Sequence, residues 1–148
     1  MHTDNAKITL KSIIDNLSDT GLPSDDREVA ESTAIGTLTA SDRGAVLSFS
    51  EESEGGQIKT KIEILGERVR VCRHGAIESE MVFAEGKSHD SLYSVVPYAF
   101  DVTVKARKIR NSLTKSGGAL DVFYDMHIGG ADKNVRMKLT VKEMPTTA

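Results

Sequence analysis

Apolar residues recur at every second position along most of this chain and almost nowhere at the three- and four-residue spacing of an amphipathic helix. Leu47 and Phe49 share one parity, as do Ile58, Ile62 and Ile64, then Val69 and Val71, then Met81 and Phe83. The pattern resumes with Phe100, Val102, Val104 and Ala106, with Leu120, Val122, Tyr124, Met126 and Ile128, and with Val135, Met137, Leu139 and Val141. Ten strands are predicted, at 7–14, 28–39, 45–51, 58–65, 68–74, 78–84, 91–96, 100–109, 119–128 and 133–143. Short glycine-bearing breaks separate most of them, among them Gly66-Glu67, Gly117-Gly118 and Gly129-Gly130. Such residues accept the positive φ that tight hairpins require. Connections this short join antiparallel neighbours, so the chain reads as a meander. One break is long: 15–27 holds Asp15, Asp19, Gly21, Pro23, Asp25 and Asp26 and is expected to be an exposed loop.

Successive side chains of a strand point to opposite sides of the sheet. The parity opposite the apolar rows carries Lys59, Lys61, Glu63, Arg68, Arg70, Glu78, Glu80, Asp101, Lys105, Arg107, Asp121, Asp125, Arg136, Lys138 and Lys142. A sheet dry on one face and wet on the other over so many strands closes most simply on its dry side. Closure also removes the exposed edges of an open sheet. The expected fold is therefore all-β, a closed or nearly closed antiparallel meander barrel of eight to ten strands.

Composition narrows the setting. A chain of 148 residues has the length of one domain, and 39% hydrophobic residues is a globular proportion. No apolar run approaches the length of a membrane helix, and the first twenty residues lack a signal-peptide core, so a cytoplasmic location is expected. The single cysteine, Cys72, fits a reducing compartment and forbids an internal disulfide. Net charge is −3, which gives no ground for a nucleic-acid or membrane partner. The charge is uneven, however. Residues 1–56 hold 11 acids against 4 bases, while the remainder is net basic.

Polar residues in phase with the apolar rows are the most informative ones. Glu51 follows Leu47 and Phe49, Thr60 sits between Ile58 and Ile62, Arg73 continues Val69 and Val71, and Tyr124 lies mid-strand. All four are expected to point into the barrel. A buried guanidinium is costly unless paired. Either Arg73 and Glu51 form an internal ion pair, or Arg73 anchors an anionic or amphipathic ligand that Tyr124 and Thr60 orient. In the second case Phe49, Val71, Phe83, Val104, Val122 and Met126 form the apolar wall. Catalytic signals are thin, and no catalytic residue, cofactor or metal is expected. Cys72 and His74 share an outer face, as do Asp125 and His127, but at two-residue spacing neither pair makes a nucleophile–base dyad or completes a metal set. The basic run Lys105 to Arg110 lacks stacking aromatics and reads as a solvated strand end.

Two segments carry a resemblance to a known family. Val69-Arg70-Val71-Cys72-Arg73-His74-Gly75-Ala76 looks like an apolar strand ending in Arg-x-Gly, and Tyr124-Asp125-Met126-His127-Ile128-Gly129 matches a Tyr-Asp-Met-His-x-Gly segment. Phe49-Ser50-Glu51 with Thr60, and Val96-Pro97-Tyr98 followed by Ala99 in place of a glycine, are weaker matches. In these the chain resembles the YwiB-like family of small bacterial proteins of unknown function. The resemblance implies a calycin-like (lipocalin-type) β-barrel and brings no assigned activity. A non-enzymatic binder of a small molecule in the barrel interior is the leading expectation. A packed structural or protein-interaction module without such a ligand is the alternative.

Overall fold

The computed structural model describes residues 2–17, 23–41, 43–114 and 116–143. Ten strands are present: β1 (His2–Leu17), β2 (Pro23–Ser41), β3 (Gly44–Ser53), β4 (Gly56–Leu65), β5 (Arg68–Gly75), β6 (Ser79–Ala84), β7 (Ser88–Val95), β8 (Tyr98–Asn111), β9 (Gly117–Ile128) and β10 (Ala131–Glu143). They form one antiparallel sheet in the order β6-β5-β4-β3-β2-β1-β10-β9-β8-β7. Every neighbour is consecutive in sequence except β1 and β10, whose pairing from Ala6↔Glu143 to Asn16↔Lys133 joins the two halves of the meander. The seam falls between β6 and β7, where the edges are joined by the Glu78↔Ser94 bridge and the Val82 N–H to His89 Nδ1 hydrogen bond, with Glu85↔Ala106 bridging on to β8. The result is a nearly closed barrel.

Turn chemistry sets the register. Gly129 and Gly130 both have positive φ, 57° and 79°, as a two-residue hairpin turn with the native twist demands. Counting back from that turn pairs Ile128 with Ala131, Tyr124 with Val135 and Leu120 with Leu139. The interior is built from the expected parity: Leu47, Ile62, Ile64, Val69, Phe83, Val104, Val122 and Leu139 are all buried. A bulge in β8 between Ala106 and Lys108 shifts the phase by one residue. Ile109 then resumes contact with the core, and both Arg107 and Lys108 stay outside. The outer wall carries paired charges, such as Arg70 with Glu63 and Glu80, and Arg136 with Asp121.

Two expectations need correction. The 15–27 segment is not all loop: Asp15 and Arg27 are register partners, joined by an ion pair at 2.7 Å, and the ladder reaches Leu17↔Pro23. Backbone pairing outweighs the turn-rich composition, and Pro23 is tolerated as the first residue of its strand. Residues 18–22 lie outside the described set. Phe100, expected inside, is 40% exposed. Its parity is right, but Val102↔Ile128 is the last pair between β8 and β9, so the β7–β8 hairpin overhangs the rim. No helix among the described residues is long and apolar enough to cross a membrane.

Gly36 lies hard against β3. A Cβ there would stand 2.1 Å from the Ser48 carbonyl oxygen and 2.8 Å from the Phe49 Cβ, so only glycine lets β2 cross this close to β3. Gly36→Ala is expected to lower unfolding free energy by about 1–3 kcal/mol, read by urea denaturation. Gly55→Ala, whose added carbon meets only Ala76 at 3.6 Å, is expected to stay within about 0.5 kcal/mol of wild type.

Candidate functional site

The Gly66-Glu67 turn pairs Leu65 with Arg68, and the antiparallel count then places Thr60 directly opposite Arg73. Phe49 lies across from Thr60 on the other side, and Ser79 across from Arg73. A row of Phe49, Thr60, Arg73 and Ser79 thus runs around the inner wall. Two members of it are polar atoms in dry surroundings. Thr60 is 3% exposed, and its Oγ1 has no hydrogen-bond partner among the described residues; neither has the buried Nε of Arg73. Leaving such groups unpaired costs free energy, which makes these the interior polar atoms that need an explanation.

Facing this row from the opposite wall is Tyr124. Its ring packs on Phe83 with centroids 4.5 Å apart and planes tilted by 46°, so side chains from β6 and β9 meet across the interior. Burial pushes the Tyr124 phenol up to about 12; the Arg73 charge acts in the opposite direction, and Tyr93 adds slightly to the rise. The phenol is therefore a neutral O–H donor at any ordinary pH.

Between these groups is a cavity of about 250 Å³, toward the end of the barrel that carries the β5–β6, β7–β8 and β9–β10 turns. Arg73, Tyr124, Phe83 and Met126 line it together with Ile14, Met81, Tyr93, Lys133 and Val135. Five of the ten residues expected to line the interior site, Arg73, Tyr124, Val71, Phe83 and Met126, are thus brought together. Phe49, Glu51 and Thr60 are not in the lining. Phe49 and Thr60 are packed behind it, next to Arg73 in the cross-strand row. Glu51 does not pair with Arg73; its Oε1 accepts a hydrogen bond from Ser32 Oγ at 3.3 Å.

Comparison with known proteins fits this architecture. Residues 13–141 match the family described as "Domain of unknown function (DUF1934)". The chain belongs to this family. Among curated relatives, it is 26% identical over 109 residues to the uncharacterized β-barrel protein YwiB of Bacillus subtilis (strain 168), covering 74% of this chain and 77% of that one. The crystal structure of the ywiB protein from Bacillus subtilis superposes with a TM-score of 0.82 at 24% identity, over 97% of this chain and 94% of that chain. The family is one of β-barrels without an assigned activity.

Ser12, Ile14, Ser79, Tyr93 and Lys133 also line the cavity and were not singled out from the sequence. Lys133 shares the parity of Val135, Met137 and Leu139 and pairs with Met126, so counting back from the Gly129-Gly130 turn would have found it. Tyr93 lies in a strand whose sequence, Ser-Leu-Tyr-Ser-Val, gives no alternation to read. The outer wall holds two larger depressions, of about 450 Å³ around Arg70, Glu80 and His89 and about 390 Å³ around Asp125, His127 and Asp132. Their charges already satisfy one another: Arg70 with Glu80, Arg107 with Asp125 at 3.2 Å, and His127 with Asp132 at 2.7 Å. The Cys72 thiol is pushed up, chiefly by burial, and lies 3.9 Å from Glu80, the opposite of an activated nucleophile. No group of three metal-ligating side chains occurs among the described residues.

The raised Tyr124 pKa has a stability consequence. A tyrosine in the unfolded chain releases its proton near 10, whereas Tyr124 holds it to about 12 when folded. Between those values the folded state binds more protons, so stability is full below pH ~10 and falls as pH rises toward 12, with a limiting slope of about 1.4 kcal/mol per pH unit. Denaturation midpoints measured from pH 9 to 12 should show this loss, and Tyr124→Phe should flatten it.

Proposed function

We propose that this protein is a non-enzymatic, cytoplasmic binder of a small amphipathic or anionic molecule, held in the barrel interior in the manner of a lipocalin-type fold. The observation that carries the reading is the buried, unpartnered Nε of Arg73 at the wall of a largely apolar cavity. Ligand sites combine apolar walls with a few convergent polar groups. Arg73 faces the acidic group of the ligand, and its planar fork suits a carboxylate or phosphate. Tyr124 donates a hydrogen bond to it, Lys133 adds a second cation, and Phe83, Met81 and Met126 cover the apolar part. Thr60 stands behind Arg73 and serves position rather than contact. No residue here is given a catalytic role.

A packed structural or interaction module without a small ligand is the second reading. The volume favours it, because 250 Å³ lies just under the roughly 300–1,000 Å³ of common ligand pockets.

One substitution separates the two. A guanidinium retained for binding is a liability in the empty barrel, so Arg73→Met should raise the stability of ligand-free protein by about 1 kcal/mol while abolishing ligand retention. Native mass spectrometry of protein purified from its own host should show a small co-purifying molecule in the wild type and a bare mass in Arg73→Met. A bare mass in the wild type, with lower stability in the variant, supports the packed module.

A further inference from the structure

The barrel wall has a notch that the interior site does not use. Strand β2 pairs with β1 along nearly its whole length, yet pairs with β3 only from Thr37↔Ser48 to Ser41↔Gly44. Among the described residues, 28–36 of β2 and 49–53 of β3 therefore have a partner strand on one side only. Beyond the close crossing at Gly36 the two strands diverge, and the contact given across the gap is side chain to side chain, from Ser32 to Glu51. Along 27–33 every side chain is exposed, on both faces of the strand, with Val29 at 58%, and Ile35 at 67% completes the outer row.

Long exposed edges are normally blunted by lysine, proline, a bulge, shortness or inward-pointing charge. Over 27–36 this one has no lysine, proline or bulge and relies on Arg27, Glu28 and Glu31 alone: its sequence is Arg-Glu-Val-Ala-Glu-Ser-Thr-Ala-Ile-Gly, with three β-branched residues and an unbroken ladder on the β1 side. On the inner side of the notch the carboxylates face no base along their ladders: Glu28 on β2 is opposite Ile14, and Glu51 on β3 is opposite Ile58. On the outer side Glu31 is opposite Lys11. Arg27, the base on β2 itself, is occupied by Asp15. A second copy of the same edge would gather four carboxylates, Glu28 and Glu31 of each copy, along one short ladder, which opposes symmetric pairing.

We infer that this open edge is a strand-addition site for an extended segment of a partner protein bearing lysine or arginine at alternate positions. Main-chain hydrogen bonds to β2 supply the affinity. Cations facing Glu28 and Glu51 supply the selection, and the partner's other face covers Val29 and Ile35. Occupation of the interior by a small molecule is not required.

The probe is the blocked octapeptide Ac-(Lys-Val)4-NH2, with Ac-(Glu-Val)4-NH2 as control, titrated into the full chain by calorimetry and followed by amide hydrogen exchange. The expected result is binding of the lysine peptide alone, weakened at least tenfold by salt, with exchange of amides within 28–36 slowed about tenfold or more. In an antiparallel edge, adjacent residues alternate between facing the partner strand and facing outward. Of Ala30→Pro and Glu31→Pro, one therefore removes an outward N–H while sparing the β1 ladder. That folded variant should lose the peptide, and Glu28→Lys should weaken it. Equal binding of both peptides, protection elsewhere than 28–36, or no binding overturns the inference. So does a dimer in sedimentation whose protected amides are 28–36, because a second copy would then be the occupant.

Discussion

The pairing of the first strand with the last is the constraint on which everything else rests. Eleven residue pairs between β1 and β10 turn two separate runs of hairpins into one wall that curls back on itself. Without them, Ile8, Leu10, Leu139 and Val141, all buried in the barrel, would be edge residues facing water. The ends of the chain must find each other before the apolar face has an inside, and this long-range contact makes the interior a cooperative property of the whole chain. The seam is consequently displaced to the middle of the sequence. There β6 and β7 are linked by a few contacts such as the Val82 N–H to His89 Nδ1, and Glu85, just past β6, reaches β8, its carboxylate accepting from the Ile109 N–H at 2.7 Å.

Most of this was legible in period-two alternation, because a closed sheet sorts side chains by parity alone. All ten strands fall where the alternation and the glycine turns place them. What escaped was governed by where neighbours stop rather than by parity. Phe100 has the inward phase but lies beyond the end of β9. The 15–27 segment is rich in turn formers, yet its flanks are strand because Asp15 and Arg27 are register partners. The overhang and the notch are both features of unequal strand length, which no single strand's sequence encodes.

The candidate site was half legible for the same reason. Arg73, Tyr124, Phe83 and Met126 converge because each obeys its own strand's phase and the turns fix the registers between neighbours. Depth within the barrel is a separate coordinate. Phe49 and Thr60 have the inward phase but lie to the side of the space that Phe83 and Tyr124 leave open by meeting across the centre. Lys133 went unread because the apolar row was started at Val135, one inward position too late.

The unpaired guanidinium and the open edge share a physical origin. By parity Glu51 points inward, one inward position beyond Phe49 on β3, and its cross-strand partner Ile58 is two residues from Thr60, which faces Arg73. In a wall zipped between β2 and β3 over its full length, the Glu51 carboxylate would have the interior as its only direction and Arg73 as its natural counter-ion. Because β2 departs at Gly36, the carboxylate has a second direction, sideways to Ser32 in the notch. There it stays near water, which lowers its desolvation cost relative to a buried pair. Arg73 is then left with a desolvated Nε and no partner among the described residues. The close approach at Gly36, the open edge and the unpartnered Nε thus follow from one feature, the early end of the β2–β3 ladder.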